Sequence, residues 1–549
     1  MAASARDDLR RYAVPLLLGL ALAAAAIVLL VYSSGLAPFQ DSWEFLMRRR
    51  ALSVDALLAP HNEHIVLIPV LIEQALLRLF GISSTLPEFI VLIALLLGTA
   101  TLVYVYVQRR LGPWPALFAA TLLLFLGPAW QDLLWPFQVG FVGSALFGVA
   151  MLLALESEGR HRDALACAFL ALSIGFSSLG LSFALAAAVD VLLRRRQLGL
   201  RRAYLFLVPP ALYALWWLGW GHEAVSHLSL HNVLVSPRYL VEGLAAAVGS
   251  LLALATIFDE AVGRSTWGYV VLGLLLALVV YGQIRRPGFS PRLWPVAAAA
   301  ASFWLLAGFN AFPGREAWSS RYLYVGALFV LLLAAELLRG VRFNRWALVG
   351  GAVVTLVAVG FNLVPLREGR DFFKQQTVLT RADLGAIEIA SRTVAPDFTL
   401  SAEVAGTSFL SEIEAGEYLA AVEEFGSPAY DPGELAGAPE AGRKQADLVL
   451  ANALPLAIEA GVSGAAAGER CREIGAAALA LRPGVTTVEL APGDPATIRL
   501  RRFAADYPLS SAGIAGGSKT RLYIPRDKAS RPWQLRVEAA QGGRVCVRP

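Results

Sequence analysis

Apolar runs long enough to cross a bilayer recur along the first two thirds of the chain. The first, Tyr12 to Tyr32, follows Arg6, Arg10 and Arg11 and covers the roughly 20 residues that a spanning helix needs. A signal peptide has a shorter apolar core, so the run predicts a retained first helix with its N-terminus in the cytoplasm. Further runs predict spans near 85–107, 114–128, 137–156, 163–178, 179–193, 203–220, 267–283, 293–309, 322–338 and 346–364. The short pair at 163–193 is interrupted at Gly175-Phe176-Ser177-Ser178. Residues 240–258 are also apolar. Counting them as a span would turn the later arginine clusters outward, so they are read as a re-entrant or interfacial piece broken near Gly249-Ser250.

Beyond residue 366 the pattern changes. Residues 367–425 and 440–460 have helical periodicity. From about 470 short alternating runs take over: 486–490, 497–500, 521–524, 533–537 and 544–547, with Pro, Gly, Asp and Ser between them. These predict a small antiparallel β-sandwich. The expected fold is therefore an α-helical polytopic membrane protein with about eleven transmembrane helices. It carries a C-terminal extracytoplasmic α+β part: a membrane domain over 1–365, a helical segment over 366–465 and a sandwich over 466–549.

Composition agrees. Hydrophobic residues make up 57% of the chain and charged residues 16%, with a mean hydropathy of +0.58. A soluble domain carries about 25% charged residues, so an ordinary soluble enzyme is excluded. The net charge of +5 is unevenly spread, +7 over 1–366 and −2 over 367–549. The basic residues of the first part are all arginines and cluster between spans: 109–110, 160 and 162, 194–196 with 201–202, 285–286, and 339, 342 and 345. Positive-inside bias assigns these loops to the cytoplasm and the C-terminal part to the outer side, with no nucleic-acid footprint. The outer side is that of a bacterial-type plasma membrane or an organelle lumen. No GxxxxGK[ST] motif occurs, which argues against ATP-driven transport. Cys471 and Cys546 flank the sandwich and stand as a candidate disulfide or as two buried thiols; Cys167 lies in a span.

Candidate chemistry gathers in the outer loops. Asp41, in Gln40-Asp41-Ser42-Trp43-Glu44, opens a short amphipathic segment over 42–50 at the membrane surface. With Glu44 three residues on, it reads as a capping box, as a carboxylate facing a cleft, or as both. His61, Asn62, Glu63 and His64 stand together before an apolar stretch, where they suit a general base, metal ligands or partners of sugar hydroxyls. In a helix, Glu223, His227 and His231 would share one face at i, i+4, i+8 and could complete a divalent-metal site with Glu63 or His64. Asp132 and Gln138 lie in a Trp-rich loop suited to a sugar ring, a setting that interfacial Trp residues also explain. Arg321 stands where a late helix begins, with Tyr322 beside it. It reads as a phosphate ligand or a snorkelling interfacial side chain, and Arg315 is the alternative phosphate partner.

This arrangement resembles the GT-C superfamily of integral-membrane glycosyltransferases over about residues 10–365. The features that carry it are an outer-face Asp shortly after the first helix, a long first outer loop, about eleven spans, an Arg-Tyr entering a late helix and an extracytoplasmic C-terminal domain. The family's usual acidic pair in the first loop is here Asp41 with Glu44. The resemblance implies transfer of a sugar from a polyprenyl-phosphate donor to an envelope glycan, lipid or protein acceptor, with inversion. Asp41 would then be the general base, with Glu44 beside it, and Arg321 would stabilise the departing lipid phosphate. His61, Glu63 and His64 would orient the acceptor or hold a metal. Two other readings stand beside it, a transporter or flippase of lipid-linked glycans and a glycan-binding assembly protein. Few charges lie deep in the spans, which disfavours a transport pathway.

Overall fold

A computed structural model describes residues 2–198, 201–259, 266–285, 288–400, 413–454, 457–460, 470–473, 478–481, 483–490, 496–510, 519–538 and 543–547. The chain divides into two compact units. One comprises 1–34, 49–75 and 86–371; the other comprises 35–48, 76–85 and 372–549.

The helices in chain order are α1 (Ala2–Ser33), α2 (Ser42–Met47), α3 (Val54–Leu58), α4 (Leu67–Phe80), α5 (Leu86–Leu111), α6 (Pro113–Leu124), α7 (Trp130–Leu134), α8 (Val139–Ala154), α9 (Arg160–Phe176), α10 (Gly180–Leu198) and α11 (Tyr204–Gly219). They continue with α12 (Leu230–Leu251), α13 (Leu254–Ile257), α14 (Thr266–Arg285), α15 (Leu293–Phe309), α16 (Ser320–Leu337) and α17 (Arg345–Ala390). After these come α18 (Ala415–Phe425), α19 (Pro432–Gly437) and α20 (Glu440–Ala453).

Every expected span falls on a helix, but their lengths differ from expectation. Among the described residues, six helices are long and apolar enough to cross a membrane. Pro113–Leu124 and Gly127–Leu134, bent by 43°, together make a seventh. Tyr204–Gly219 and Leu293–Phe309 are apolar but shorter. By length and composition the described residues thus hold six such helices, or seven if the bent pair is one span, and the expected spans at 163–178, 203–220 and 293–309 fall on helices of 16 or 17 residues.

In the first unit α8 packs on α9 and α5, α5 also on α6, and α12 on α14, α15 and α16. Small residues allow the close approach: a Cβ on Gly148 would collide with the Phe183 ring. The break between α9 and α10 lies where the sequence placed it, with Ser177 extended after Phe176. The break near 249–250 does not. α12 runs unbroken through Gly249 and Ser250 to Leu251, buried among neighbouring helices, and the chain turns at Ala253 in the left-handed region (φ +55°).

The second unit draws on three stretches of chain. Its core combines Trp43, Leu46 and Met47 of α2, Leu77 and Ile82, residues between 382 and 390 of α17, Tyr418 of α18, Leu450 of α20, and inward residues of both sheets, such as Leu522 and Ile524 of one and Ile498, Trp533 and Leu535 of the other. Backbone and side-chain bonds stitch the early stretches in: Ile82 N–H donates to Phe425 O at 3.0 Å, Ala37 N–H to Thr377 Oγ1 at 3.0 Å, and Thr85 Oγ1 to Leu36 O at 2.6 Å. Of the segment at 42–50, Ser42–Met47 forms a six-residue helix whose Trp43, Leu46 and Met47 pack into this core.

Nine strands form two antiparallel sheets: β1 (Ala457–Ala460), β2 (Arg470–Glu473), β3 (Leu479–Leu481), β4 (Gly484–Leu490), β5 (Thr497–Arg501), β6 (Leu509–Ser510), β7 (Lys519–Ile524), β8 (Trp533–Glu538) and β9 (Gly543–Val547), all counted among the described residues. The orders are β1-β7-β4-β9-β2 and β3-β8-β5-β6. The five alternating runs all become strands. Residues 457–460, expected to be helical, instead pair as β1 with β7, since Ala457↔Tyr523 to Ala460↔Thr520 form a ladder. The register sets Cys471 opposite Cys546, whose side chains lie outside the described residues.

Candidate functional site

One polar part of the first unit is built on a turn. His61 N–H donates to His64 O at 3.0 Å and His64 N–H to His61 O at 2.9 Å, closing a two-residue reversal. Asn62 takes φ +50°, a conformation that Asn tolerates better than most residues. The entry strand is clamped by Arg49, whose guanidinium donates to Ala59 O and Pro60 O, each at 2.8 Å. On the other side Ser178, in the α9–α10 break, donates to Glu63 O at 3.3 Å and accepts from Ile65 N–H at 3.3 Å. These contacts fix the carboxylate of Glu63 and the ring of His64, which stands edge-on to Phe141 at 5.4 Å.

Glu63 meets an arginine 252 residues later. Arg315 Nη1 donates to Glu63 Oε1 at 2.6 Å, with both side chains mostly buried, and His64 Nε2 lies 3.6 Å from the same oxygen. The loop carrying Arg315 is held from behind. Asn232 Nδ2 donates to His227 O, Phe309 O and Ala311 O at 2.9, 3.1 and 3.0 Å, and Asn310 Oδ1 accepts from His227 N–H at 3.1 Å. Tyr239 OH donates to Arg315 O at 3.1 Å.

A cavity of about 200 Å³ opens beside this pair. Glu63, His64, Ser178, Ser182, Tyr213 and Asn310 line it with polar groups, and Phe141, Trp217, Phe303 and Tyr322 with aromatic rings. Three polar atoms at its wall are buried without a hydrogen-bond partner: Glu63 Oε2, His64 Nδ1 and Ser182 Oγ. Burial pushes the Glu63 carboxyl up, but His64 and Arg315 pull harder and hold it below the usual carboxylate range. Burial, with Arg315 adding to it, lowers His64 to about 4 against the raising effect of Glu63. Near neutral pH the site thus holds a carboxylate, a guanidinium and a neutral imidazole, a set that can orient hydroxyl groups and receive an anionic one.

The other expected residues fall in different places. Arg321 Nη2 donates to Gly314 O at 2.8 Å, while its Nε is buried without a partner. Tyr322 is buried between Phe141 and Phe303, at ring distances of 6.5 and 6.3 Å. Asp132 and Gln138 are buried, and neither lines the cavity. The Trp-rich loop is filled core: Trp135 is buried and stacks on Phe137 at 5.2 Å, which His61 meets at 5.0 Å. Asp41 and Glu44 belong to the second unit. Asp41 precedes α2 with helical backbone and no side-chain cap bond, so the expected capping box is absent.

The expected imidazole–carboxylate face does not form. Gly221–Glu223 is a single 3-10 turn, and helix α12 starts only at Leu230, because Ser229 Oγ accepts the Asn232 N–H as its cap. Glu223, His227 and His231 therefore share no helix face, and the His227 ring lies against Phe312 at 4.4 Å. Among the described residues no three His, Cys, Asp or Glu side chains group closely enough to hold a metal ion. Sequence reading assigned none of Arg49, Ser178, Tyr213, Asn232 and Asn310 to the site, although Ser178 lay in the expected break between two spans, Asn232 beside His231 and Asn310 in the loop of Arg315.

No protein-family model matches the chain, and no curated protein matches it. The structure is similar to a crystal structure of ArnT from Cupriavidus metallidurans bound to undecaprenyl phosphate. The likeness covers 69% of this chain and 81% of that one, at 14% identity and a TM-score of 0.46. A likeness of that degree fixes neither substrate nor residue roles.

Proposed function

We propose that the chain is an integral-membrane glycosyltransferase of the GT-C type. It takes a sugar from a polyprenyl-phosphate donor and passes it with inversion to a hydroxyl of an envelope glycan, lipid or protein acceptor. The N-terminus lies in the cytoplasm and the second unit outside. The observation that carries this reading is the aromatic-walled cavity with Glu63 Oε2, His64 Nδ1 and Ser182 Oγ unpartnered on its wall. Buried polar atoms cost free energy when unmade, and a hydroxyl-rich ligand against aromatic rings would satisfy them.

In this reading Glu63 and His64 orient sugar or acceptor hydroxyls, and Arg315 keeps Glu63 ionised. Arg321, with one buried donor unused, receives the lipid phosphate as negative charge grows on it. Asp41, with Glu44 beside it, is the general base that takes the acceptor proton; its support is its place in the loop after the first helix. The fit of a resident metal is poor: the Glu63 carboxylate already holds Arg315, and no third ligand stands near among the described residues. No step is assigned to one. A flippase gains no support from Glu336, whose buried carboxylate is taken up by Tyr106, Arg110 and Arg339.

The test is transfer from a radiolabelled polyprenyl-phosphate sugar by the purified full chain, with Glu63→Gln beside wild type. The proposal expects wild-type transfer and a loss of about 10²-fold or more in Glu63→Gln. Undiminished transfer in that variant would remove the cavity from the mechanism.

A further inference from the structure

A second polar cluster lies in the first unit, at helix ends that carry the arginine clusters, and the proposed transfer reaction makes no use of it. Tyr106, Arg110, Glu156, Asp190, Arg194 and Arg292 surround a hollow of about 20 Å³. Two carboxylates of the cluster each pair with two arginines. Glu156 takes Arg109 Nη1 at 2.7 Å and Arg110 Nη2 at 2.6 Å. Glu336 takes Arg110 Nε at 2.5 Å, Arg339 Nη2 at 2.9 Å and the Tyr106 hydroxyl at 2.7 Å. The third, Asp190, pairs through Oδ1 with Arg194 at 3.1 Å, while its Oδ2 is buried without a partner.

Arginines thus outnumber carboxylates, and the surplus falls on Arg292. Its guanidinium reaches only the backbone oxygen of Glu156 at 3.5 Å, and among the described residues no carboxylate pairs with it. This half-buried cation thus faces a hollow with room for about one water-sized atom without a close ion pair of its own, and the nearest carboxylate, Asp190 on the same wall, already pairs with Arg194. The surroundings on the lipid side are apolar. Phe289 and Trp294 flank Arg292 in sequence with their rings edge to face at 6.1 Å, and both are exposed, as are Leu192 and Leu193 beside Arg194.

We propose that this hollow seats the headgroup of an anionic, hydroxyl-bearing phospholipid of the cytoplasmic leaflet. One phosphate oxygen meets Arg292 and Arg194 at the mouth, the headgroup hydroxyl alone enters the hollow and donates to Asp190 Oδ2, and the acyl chains run along Trp294, Leu192 and Leu193. A planar guanidinium suits the phosphate, and basic hollows between helices on the cytoplasmic side are the ordinary setting for such lipids. The apolar flank favours a lipid over free phosphate, which would gain nothing from it.

The experiment uses delipidated full chain in detergent, titrated with phosphatidylglycerol, phosphatidate or phosphatidylcholine and read by native mass spectrometry. Arg292→Gln and Arg342→Gln, the latter removing an exposed arginine from another loop, are compared with wild type. Phosphatidylglycerol binds best to wild type, phosphatidate less well for want of the hydroxyl, and phosphatidylcholine least. Arg292→Gln weakens phosphatidylglycerol roughly five- to ten-fold, whereas Arg342→Gln leaves it unchanged. Arg292→Lys, which keeps the charge, retains part of the affinity and serves if the Gln variant does not fold. Equal losses in Arg292→Gln and Arg342→Gln would mean diffuse surface charge and overturn the proposal, as would unchanged binding in Arg292→Gln. Inorganic phosphate alone raising the unfolding temperature as much as phosphatidylglycerol, in an Arg292-dependent way, would overturn the lipid assignment.

Discussion

Replacing Arg315 by Met keeps most of the side chain's length and removes its charge. In the native protein Arg315 lies 2.6 Å from Glu63 Oε1, and its side chain is 9% exposed against 19% for Glu63. Breaking a buried pair by removing one partner costs about 3–5 kcal/mol. Glu63 faces a cavity and keeps some access to water, so roughly 2–3 kcal/mol is the expected cost here. The Phe312 ring, 4.8 Å from the guanidinium, loses a cation–π contact of about 0.5–1 kcal/mol, while the Tyr239 bond goes to the Arg315 backbone and survives. Thermal unfolding of the full chain in detergent should show a drop on the order of 5 °C. The pH dependence has a definite sign. Without Arg315 two of the causes that lower Glu63 are lost, its folded carboxyl rises relative to wild type, and the variant's deficit shrinks as pH falls through the carboxylate range. The double variant Glu63→Gln/Arg315→Met should recover part of the loss, with a coupling of about 2 kcal/mol. Additive losses, or an Arg315→Met protein that unfolds like wild type at neutral pH, would refute the account of the pair.

Further outcomes follow from single sites. His64 is held near 4, below its unfolded value of 6.5, so it contributes stability that is complete above about 6.5 and declines as pH falls toward 4. A ring resonance titrating above 6 by NMR would contradict this. Asp447, fully buried, accepts from the backbone N–H groups of Arg502, Phe503 and Ala504; Asp447→Ala strands all three and should cost about 3 kcal/mol, which an unfolding shift of under 1 °C would deny. Arg49→Ala frees the carbonyls of Ala59 and Pro60 and should loosen the 61–64 turn, seen as faster amide exchange at His61 and His64. Exchange at wild-type rates would show that the clamp does not hold the turn.

What the sequence disclosed and what it hid have physical reasons. Helices and the later strands were legible because apolar periodicity is a local property: Thr497–Arg501 alternates in burial as its letters do. β1 was not legible, since Ala457–Ala460 carries no signal beyond its helical flank and becomes a strand only by pairing with β7. Trp43, Leu46 and Met47 read as the apolar face of an amphipathic helix, but the core they enter is made largely of residues hundreds of positions away and depends on the fold. For the site, sequence reading singled out both Glu63 and Arg315, but their meeting depends on the fold, as does the Asn232 scaffold behind it. The metal face failed at one residue, Ser229, whose cap starts the helix too late to include Glu223 and His227.

The most direct test of the account is release of polyprenyl phosphate from a polyprenyl-phosphate sugar by the purified full chain given a cell-envelope acceptor extract, followed by mass spectrometry. The account predicts acceptor-dependent release in wild type, its loss in Asp41→Asn and a fall of about 10²-fold in Arg321→Gln. Release at the wild-type rate in Asp41→Asn would contradict the base assignment, and no release by wild type from any polyprenyl-phosphate sugar would contradict the proposed function itself.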